Sequence, residues 1–285
     1  MLFASIIVLA SIYALLGAGF VIVYKASRIL NFAHAEIVML AGYFAVTVAA
    51  FVPGSLTALP IVLCGCFFLG MIIYVLLIRP LSGYSVLSAI ILTVAVGVVL
   101  NAVTVFLWRG EMEVIPFGWR AYFSLPGNIR LSSIEITTIG IVALFFTVMG
   151  FFYRFSKIGQ QMRATAENPL LAAQRGIRIY WISGIAWGIG FAAAGLAAML
   201  LGINYTVSLQ MGSISIAAFV VALVGGLDNL WGTIPAALII AASEQLTITY
   251  VNPRLAEAIP FIILLIVLMF KPWGLFGTKE ELERV

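Results

Sequence analysis

Long apolar runs alternate with short polar breaks along the whole chain. Runs of spanning length cover Phe3–Tyr24, Asn31–Val52, Ala58–Ile78, Val86–Trp108, Ser133–Arg154, Trp181–Ile203, Ile214–Gly226, Gly232–Tyr250 and Ala258–Phe270. A helix needs about 20 apolar residues to cross the hydrocarbon core of a bilayer, so the pattern predicts nine candidate spans. The seventh and ninth runs are short, which predicts tilted, broken or re-entrant segments. The expected fold is therefore an all-α polytopic integral membrane protein with about eight to nine transmembrane helices, one or more of them short or broken. No polar tract, linker or low-complexity stretch divides the chain, so residues 1–285 form one membrane domain.

Composition removes the alternatives. Of 285 residues, 64% are hydrophobic and only 9% charged, and mean hydropathy is +1.17, whereas a soluble domain is about a quarter charged. One water-soluble core cannot bury that much apolar side chain, so lipid must be the second solvent. A net charge of +4 would suggest nucleic acid as partner in a soluble protein; here topology accounts for it. The first run lacks a basic stretch before it and is too long for a signal-peptide core, so it reads as a retained span. With the N-terminus external, Lys25, Arg28, Arg79, Arg154, Lys157, Arg163, Arg175, Arg178, Lys271, Lys279 and Arg284 fall inside, and only Arg109, Arg120, Arg130 and Arg254 outside. Cytoplasmic loops retain positive charge, which predicts a plasma (inner) membrane protein with an external N-terminus and a cytoplasmic C-terminus.

Two polar segments then face opposite sides. Residues 109–132, rich in aromatics, Pro and Gly, form an external loop; residues 155–180 form the one sizeable internal loop. Within the latter, Glu167-Asn168-Pro169 reads as a helix start, Leu170, Leu171, Ala172 and Ala173 follow, and Gly176 ends the segment. A short helix of this kind suits docking into a groove of a partner; the alternative is a solvated basic loop that only fixes topology.

Reactive chemistry is sparse. No Lys follows a Gly, so there is no Walker A loop for ATP phosphates, and neither HExxH nor GxSxG occurs. Cys64 and Cys66 share one apolar run and have only His34, far away in sequence, as a further soft ligand, so they read as packing residues. The stretch Gly188-Ile-Gly190-Phe-Ala-Ala193 matches a loose dinucleotide fingerprint but lies inside an apolar run rather than after a strand. Gly184, Gly188 and Ala192 recur every fourth residue and instead predict a face of close helix contact, within this chain or with a partner membrane chain.

Ionisable groups within spans are costly and so carry functional weight. Asn31, His34 and Glu36 cluster at the start of the second run, Glu244 lies in the eighth, and Asp228 sits between Gly225-Gly226 and Trp231-Gly232. One reading makes the first cluster a capped, interfacial helix start, with Glu36 complementing the helix dipole. The other places it at a broken helix lining a pathway or gate, together with Asp228 and Glu244. A secondary transporter or channel using His34, Glu36 and Glu244 as an ion path, and an intramembrane enzyme using the same groups, are both compatible with these residues.

The run GAGFVIVYKASRILNFAHAE resembles the N-terminal signature of the branched-chain amino acid permeases of bacterial and archaeal ABC importers, the LivH type. The likeness continues through RPLSGYSVLSAIILTVAVGVVLN, MRATAENPLLAAQRGI, VVALVGGLDNLWGTIPAALIIAASEQL and KPWGLFG, in order along nearly the whole chain. Ala35, where the family usually has Gly, and Asp228-Asn229, where Gly-Ser is commoner, depart from it. The resemblance implies a translocation subunit that is not itself an enzyme and holds no cofactor, ATP and Mg being bound by two partner ATPase subunits. It further implies a second related permease and an external solute-binding protein. The cargo would be leucine, isoleucine or valine, although related permeases carry other amino acids, urea or short amides. MRATAENPLLAAQRGI would be the coupling segment, with Glu167, Asn168, Pro169, Leu170, Ala173 and Gly176 in its core.

Overall fold

The computed structural model describes residues 2–52, 54–81, 84–118, 121–125 and 129–279; Arg120 and Arg284 of the charge count lie outside them. The helices are α1 (Leu2–Ser27), α2 (His34–Phe51), α3 (Ser55–Ile73), α4 (Val86–Trp108), α5 (Ser133–Phe155), α6 (Lys157–Glu167), α7 (Pro169–Gln174), α8 (Ile179–Asn204), α9 (Met211–Gly225), α10 (Thr233–Tyr250), α11 (Pro253–Ala256) and α12 (Ile259–Phe270). Among the described residues, seven segments are long and apolar enough to cross a bilayer, and α9 with α10 passes the same test as a pair bent by 119° at its break. The seventh and eighth apolar runs are thus the two arms of one V. The last run is lengthened to 18 residues by the turn that begins at Pro253.

Helix boundaries follow local chemistry. Ser132 accepts from the Glu135 amide at 3.2 Å while the Glu135 carboxylate accepts from the Ser132 amide at 2.6 Å, a reciprocal cap that starts α5. Ser85 caps α4 through the Ser88 amide. Beyond Ile73, α3 widens into a π turn over Tyr74–Ile78 and tightens at Arg79–Leu81, where Pro80 supplies no amide donor to continue the ladder.

Two helices form the centre. In α1 and α8, 83% of the central window is buried, against 22% in α4 and α5 and 11% in the segment ending with α12. A helix apolar on every face can be central in a bundle, and between Ile6 and Val23 the only polar side chains of α1 are Ser11 and Tyr13. The outer helices present side chains such as Val98, Phe106, Phe151 and Leu265 outward, as lipid-facing surfaces do.

The V has its apex at one end of the bundle. Gly226 turns with φ +104°, and a Cβ on Gly225 would stand 2.6 Å from the Gly232 carbonyl oxygen, so only glycine lets the two arms meet. The apex lies beside Tyr24, Arg28 and the C-terminal segment, to which it is bound by the Leu275 amide donating to the Val224 carbonyl at 2.7 Å. At the opposite end, residues 110–115 meet the entry to α9: Glu113 pairs with Val207, and the Tyr43 hydroxyl donates to the Glu111 carbonyl at 2.8 Å. One departure from an all-helical expectation occurs here. Residues 109–132 carry an antiparallel hairpin, β1 (Tyr122–Leu125) paired with β2 (Ile129–Ser132), instead of an irregular loop.

Candidate functional site

The chain passes from α1 to α2 through a turn in which Arg28 has φ 55°. Asn31 organises it: its Oδ1 accepts from the Ala33 amide at 3.1 Å, and its carbonyl accepts from the His34 amide at 3.3 Å. Asn31 therefore closes the turn before the helix, and Ala33 holds the N-cap position without a side-chain bond. His34 points into the bundle. It is fully buried, its ring lies 4.0 Å from that of Phe20, and both ring nitrogens, like Asn31 Nδ2, lack a hydrogen-bond partner among the described residues. Glycine makes the room: a Cβ on Gly19 would stand 2.8 Å from His34 Cε1. Buried donors without partners are costly, so these atoms are a polar reserve inside an apolar wall.

Glu36 turns the other way. Its Oε2 accepts from Asn101 Nδ2 of α4 at 3.1 Å, and its stem covers Gly97. Glu244 on α10 meets α1 instead, where the Tyr13 hydroxyl donates to Oε2 at 2.8 Å. Asp228 is an anchor at the apex, accepting from the Thr278 amide at 2.9 Å and from the Thr278 hydroxyl. Of the five polar residues singled out by sequence, Asn31 and His34 are neighbours; Glu36, Asp228 and Glu244 each face a different partner. Tyr13 and Asn101 escaped sequence reasoning, although each is a hydrogen-bonding side chain inside an apolar run, which lipid alone would leave unsatisfied.

The internal loop is helical over most of its length. Asn168 Oδ1 accepts from the Leu171 amide at 3.0 Å, Pro169 occupies the first turn of α7, and Gly176 turns out with φ +81°. Met162, Ala166 and Ala172 face the bundle and are buried, while Arg28 Nη2 donates to the Ala166 carbonyl at 3.0 Å. Glu167, Asn168, Pro169, Leu170, Ala173 and Gly176 all lie exposed on the other side, Leu170 at 70%. This is a rigid, partly apolar projection.

The small-residue face of α8 packs within the chain. A Cβ on Gly188 would lie 2.7 Å from the Phe67 ring and one on Gly184 3.3 Å from the Tyr74 ring, so both positions seat α3 and its π turn; Ala192 is half-buried on the same stripe. Cys66 is buried where a Cβ on Gly195 would meet its sulfur, a packing role; Cys64 is exposed.

Residues 2–268 match the family model described as the permease component of branched-chain amino acid transport systems. The chain belongs to that family. The permease is 29% identical to the high-affinity branched-chain amino acid transport system permease protein LivH of Salmonella typhimurium, over 98% of this chain and 95% of that one. It is 26% identical to BraD of Pseudomonas aeruginosa, covering 96% and 94%. It is also 26% identical to the probable LivH of Methanocaldococcus jannaschii, covering 100% and 95%. No solved structure matches the permease. It is a multi-pass membrane transport component, and the resemblance seen in its motifs reflects shared family.

Proposed function

We propose that the permease is the translocation subunit of an ATP-driven importer for branched-chain or other neutral amino acids. It pairs with a second related permease, receives cargo from an external solute-binding protein, and is driven by two ATP-binding subunits that hold ATP and Mg. The observation that carries this reading is the projection of α6 and α7. Leu170 at 70% and Leu171 at 56% exposure stand on a helix whose far side is fixed to the bundle, and exposed apolar side chains on a rigid mount mark a protein contact. The end that bears this projection also gathers Lys25, Arg28, Arg154, Lys157 and Arg163, which supports a cytoplasmic placement with the N-terminus external and the C-terminus inside.

Asn31, His34, Glu36 and Glu244 are the polar groups available to a pathway or gate. Asn31 and His34 supply donors that a displaced helix would expose to a cargo carboxylate or to water. Uptake assays in cells stripped of their native importers test the proposal, with the permease expressed together with the proteins encoded beside it. Leucine uptake that requires ATPase partners is expected. Uptake of urea or short amides in its place would replace the cargo, and uptake driven by an ion gradient without an ATPase would replace the mechanism.

A further inference from the structure

A cavity of about 830 Å³ opens between the ends of α1 and α5, the middle of α6 and the apex of the V. Its volume falls in the range of small-molecule sites, roughly 300–1,000 Å³. Lys25, Arg154 and Arg163 all line it, and among the described residues no Asp or Glu does. Among the described residues no carboxylate forms a salt bridge with any of the three. Asp228 and Glu167 are near enough to act on Lys25 electrostatically, yet both lie outside the lining, and Asp228 is engaged by Thr278.

Much of the remaining wall is apolar and outward-facing, with Thr147, Tyr153 and Asn229 as its uncharged polar members. Phe151 and Phe155 are 62% and 64% exposed on the flank of α5, with rings 5.7 Å apart and stacked. Trp231, half-exposed in the turn between the arms, lies close enough to α5 that a Cβ on Gly150 would touch its indole at 3.1 Å. Asn229 is largely engaged within the turn: its Oδ1 accepts from the Trp231 and Gly232 amides and its Nδ2 donates one of its two hydrogens to the Phe276 carbonyl.

A zwitterionic cargo needs a carboxylate or carbonyl cluster for its ammonium group as well as a cation for its acid. Among the described residues the charged groups of this lining are all cations, so it favours a net anion. The cations sit where helices that cross the bilayer reach its surface, and an exposed aromatic flank runs from them toward the hydrocarbon. An amphiphile with an anionic head satisfies both halves, because guanidinium groups bind phosphate oxygens in pairs and basic pockets between membrane helices suit anionic headgroups.

We propose that this cavity binds the phosphodiester head of an anionic membrane phospholipid at Lys25, Arg154 and Arg163, with an acyl chain along Phe151 and Phe155. The site rests on the membrane assignment and not on the identity of the cargo, and Arg163 places it beside the α6–α7 projection. Because Trp231 belongs to the turn joining α9 to α10, an occupant would brace that turn against α5.

Native mass spectrometry of the full-length permease tests this with phosphatidylglycerol, phosphatidylcholine and inorganic phosphate as probes. The expected result is one phosphatidylglycerol retained with a preference of about tenfold or more over phosphatidylcholine. Arg154→Gln with Arg163→Gln should abolish that preference, and Arg254→Gln at the other end of the bundle should keep it. Equal retention of the two lipids by the wild-type protein would overturn the proposal without recourse to any variant. So would displacement of phosphatidylglycerol by millimolar inorganic phosphate, which would mark a site for a soluble anion.

Discussion

Tyr13 and Glu244, 231 residues apart in sequence, share a hydrogen bond of 2.8 Å that ties the middle of α1 to the middle of α10. The bond makes Glu244 more than an isolated acid in lipid, since its carboxylate already has a donor. Tyr13→Phe should leave the carboxylate short of that donor and cost about 1–2 kcal/mol, read as lower thermal stability in detergent. Glu244→Gln keeps an acceptor for the hydroxyl and the side-chain volume but removes the charge. That variant should assemble normally and import more slowly; unchanged uptake kinetics would assign Glu244 to packing only.

Sidedness is testable with a membrane-impermeant thiol reagent, in a background free of Cys64 and Cys66. Tyr122→Cys on the hairpin should label in intact cells, and Glu167→Cys should label only after the membrane is opened. The reverse pattern would invert the topology.

Ala173 is exposed next to Leu170 on α7, so a charge there costs the isolated permease little. Buried unpaired against a partner it is strongly unfavourable. Ala173→Glu should therefore insert at wild-type levels and yet lose ATPase subunits on co-purification, or uncouple hydrolysis from import. Normal co-purification together with normal cargo-stimulated hydrolysis would refute the docking role.

Contact between α3 and α8 predicts a graded series. A Cβ on Gly70 would stand 2.6 Å from the Trp187 carbonyl oxygen, which is backbone, whereas one on Gly184 would stand 3.3 Å from the Tyr74 ring. Gly70→Ala should lose about 1–3 kcal/mol through overpacking, clearly more than Gly184→Ala. Equal unfolding temperatures would show that the two helices separate easily.

At the apex, Asp228 holds the segment that follows α12 through Thr278. Asp228→Ala should leave the bundle folded and make residues 271–279 sensitive to limited proteolysis. Protection equal to wild type would mean that the Leu275 and Asn229 bonds suffice.

Local signals in the chain are readable wherever the structure is locally determined. Asn168-Pro169 and Gly176 bracket α7 in sequence and do so in space, because capping, a proline in the first turn and a positive φ are properties of a few adjacent residues. Span positions are equally legible from apolar length. Rotation of each helix about its axis is not, since a run such as α1 is apolar on all sides and gives no moment to orient it. That is why Glu36 cannot be matched to Asn101, nor Glu244 to Tyr13, before the helices are placed. One reading of the sequence puts His34 in an interfacial helix start, but its burial among protein side chains depends on the space left by Gly19, a residue on another helix. The hairpin is hidden for a different reason: Pro126-Gly127-Asn128 dominates the composition of residues 109–132 and masks four-residue strands on either side.

The burial of α1 has a consequence for how the chain is made. Its principal neighbours are α8, α9 and α10, which begin at residue 179 and beyond, so α1 leaves the ribosome long before the helices that bury it. At about 5–20 residues per second the wait lasts roughly 10–30 s, during which α1 has only lipid and early helices for company. A surface without charge from Leu2 to Tyr24 is what permits that interval, because the bilayer accepts every face of such a helix. Biogenesis and the final packing thus impose the same demand on this segment: it must be as comfortable in hydrocarbon as in the protein interior that eventually replaces it.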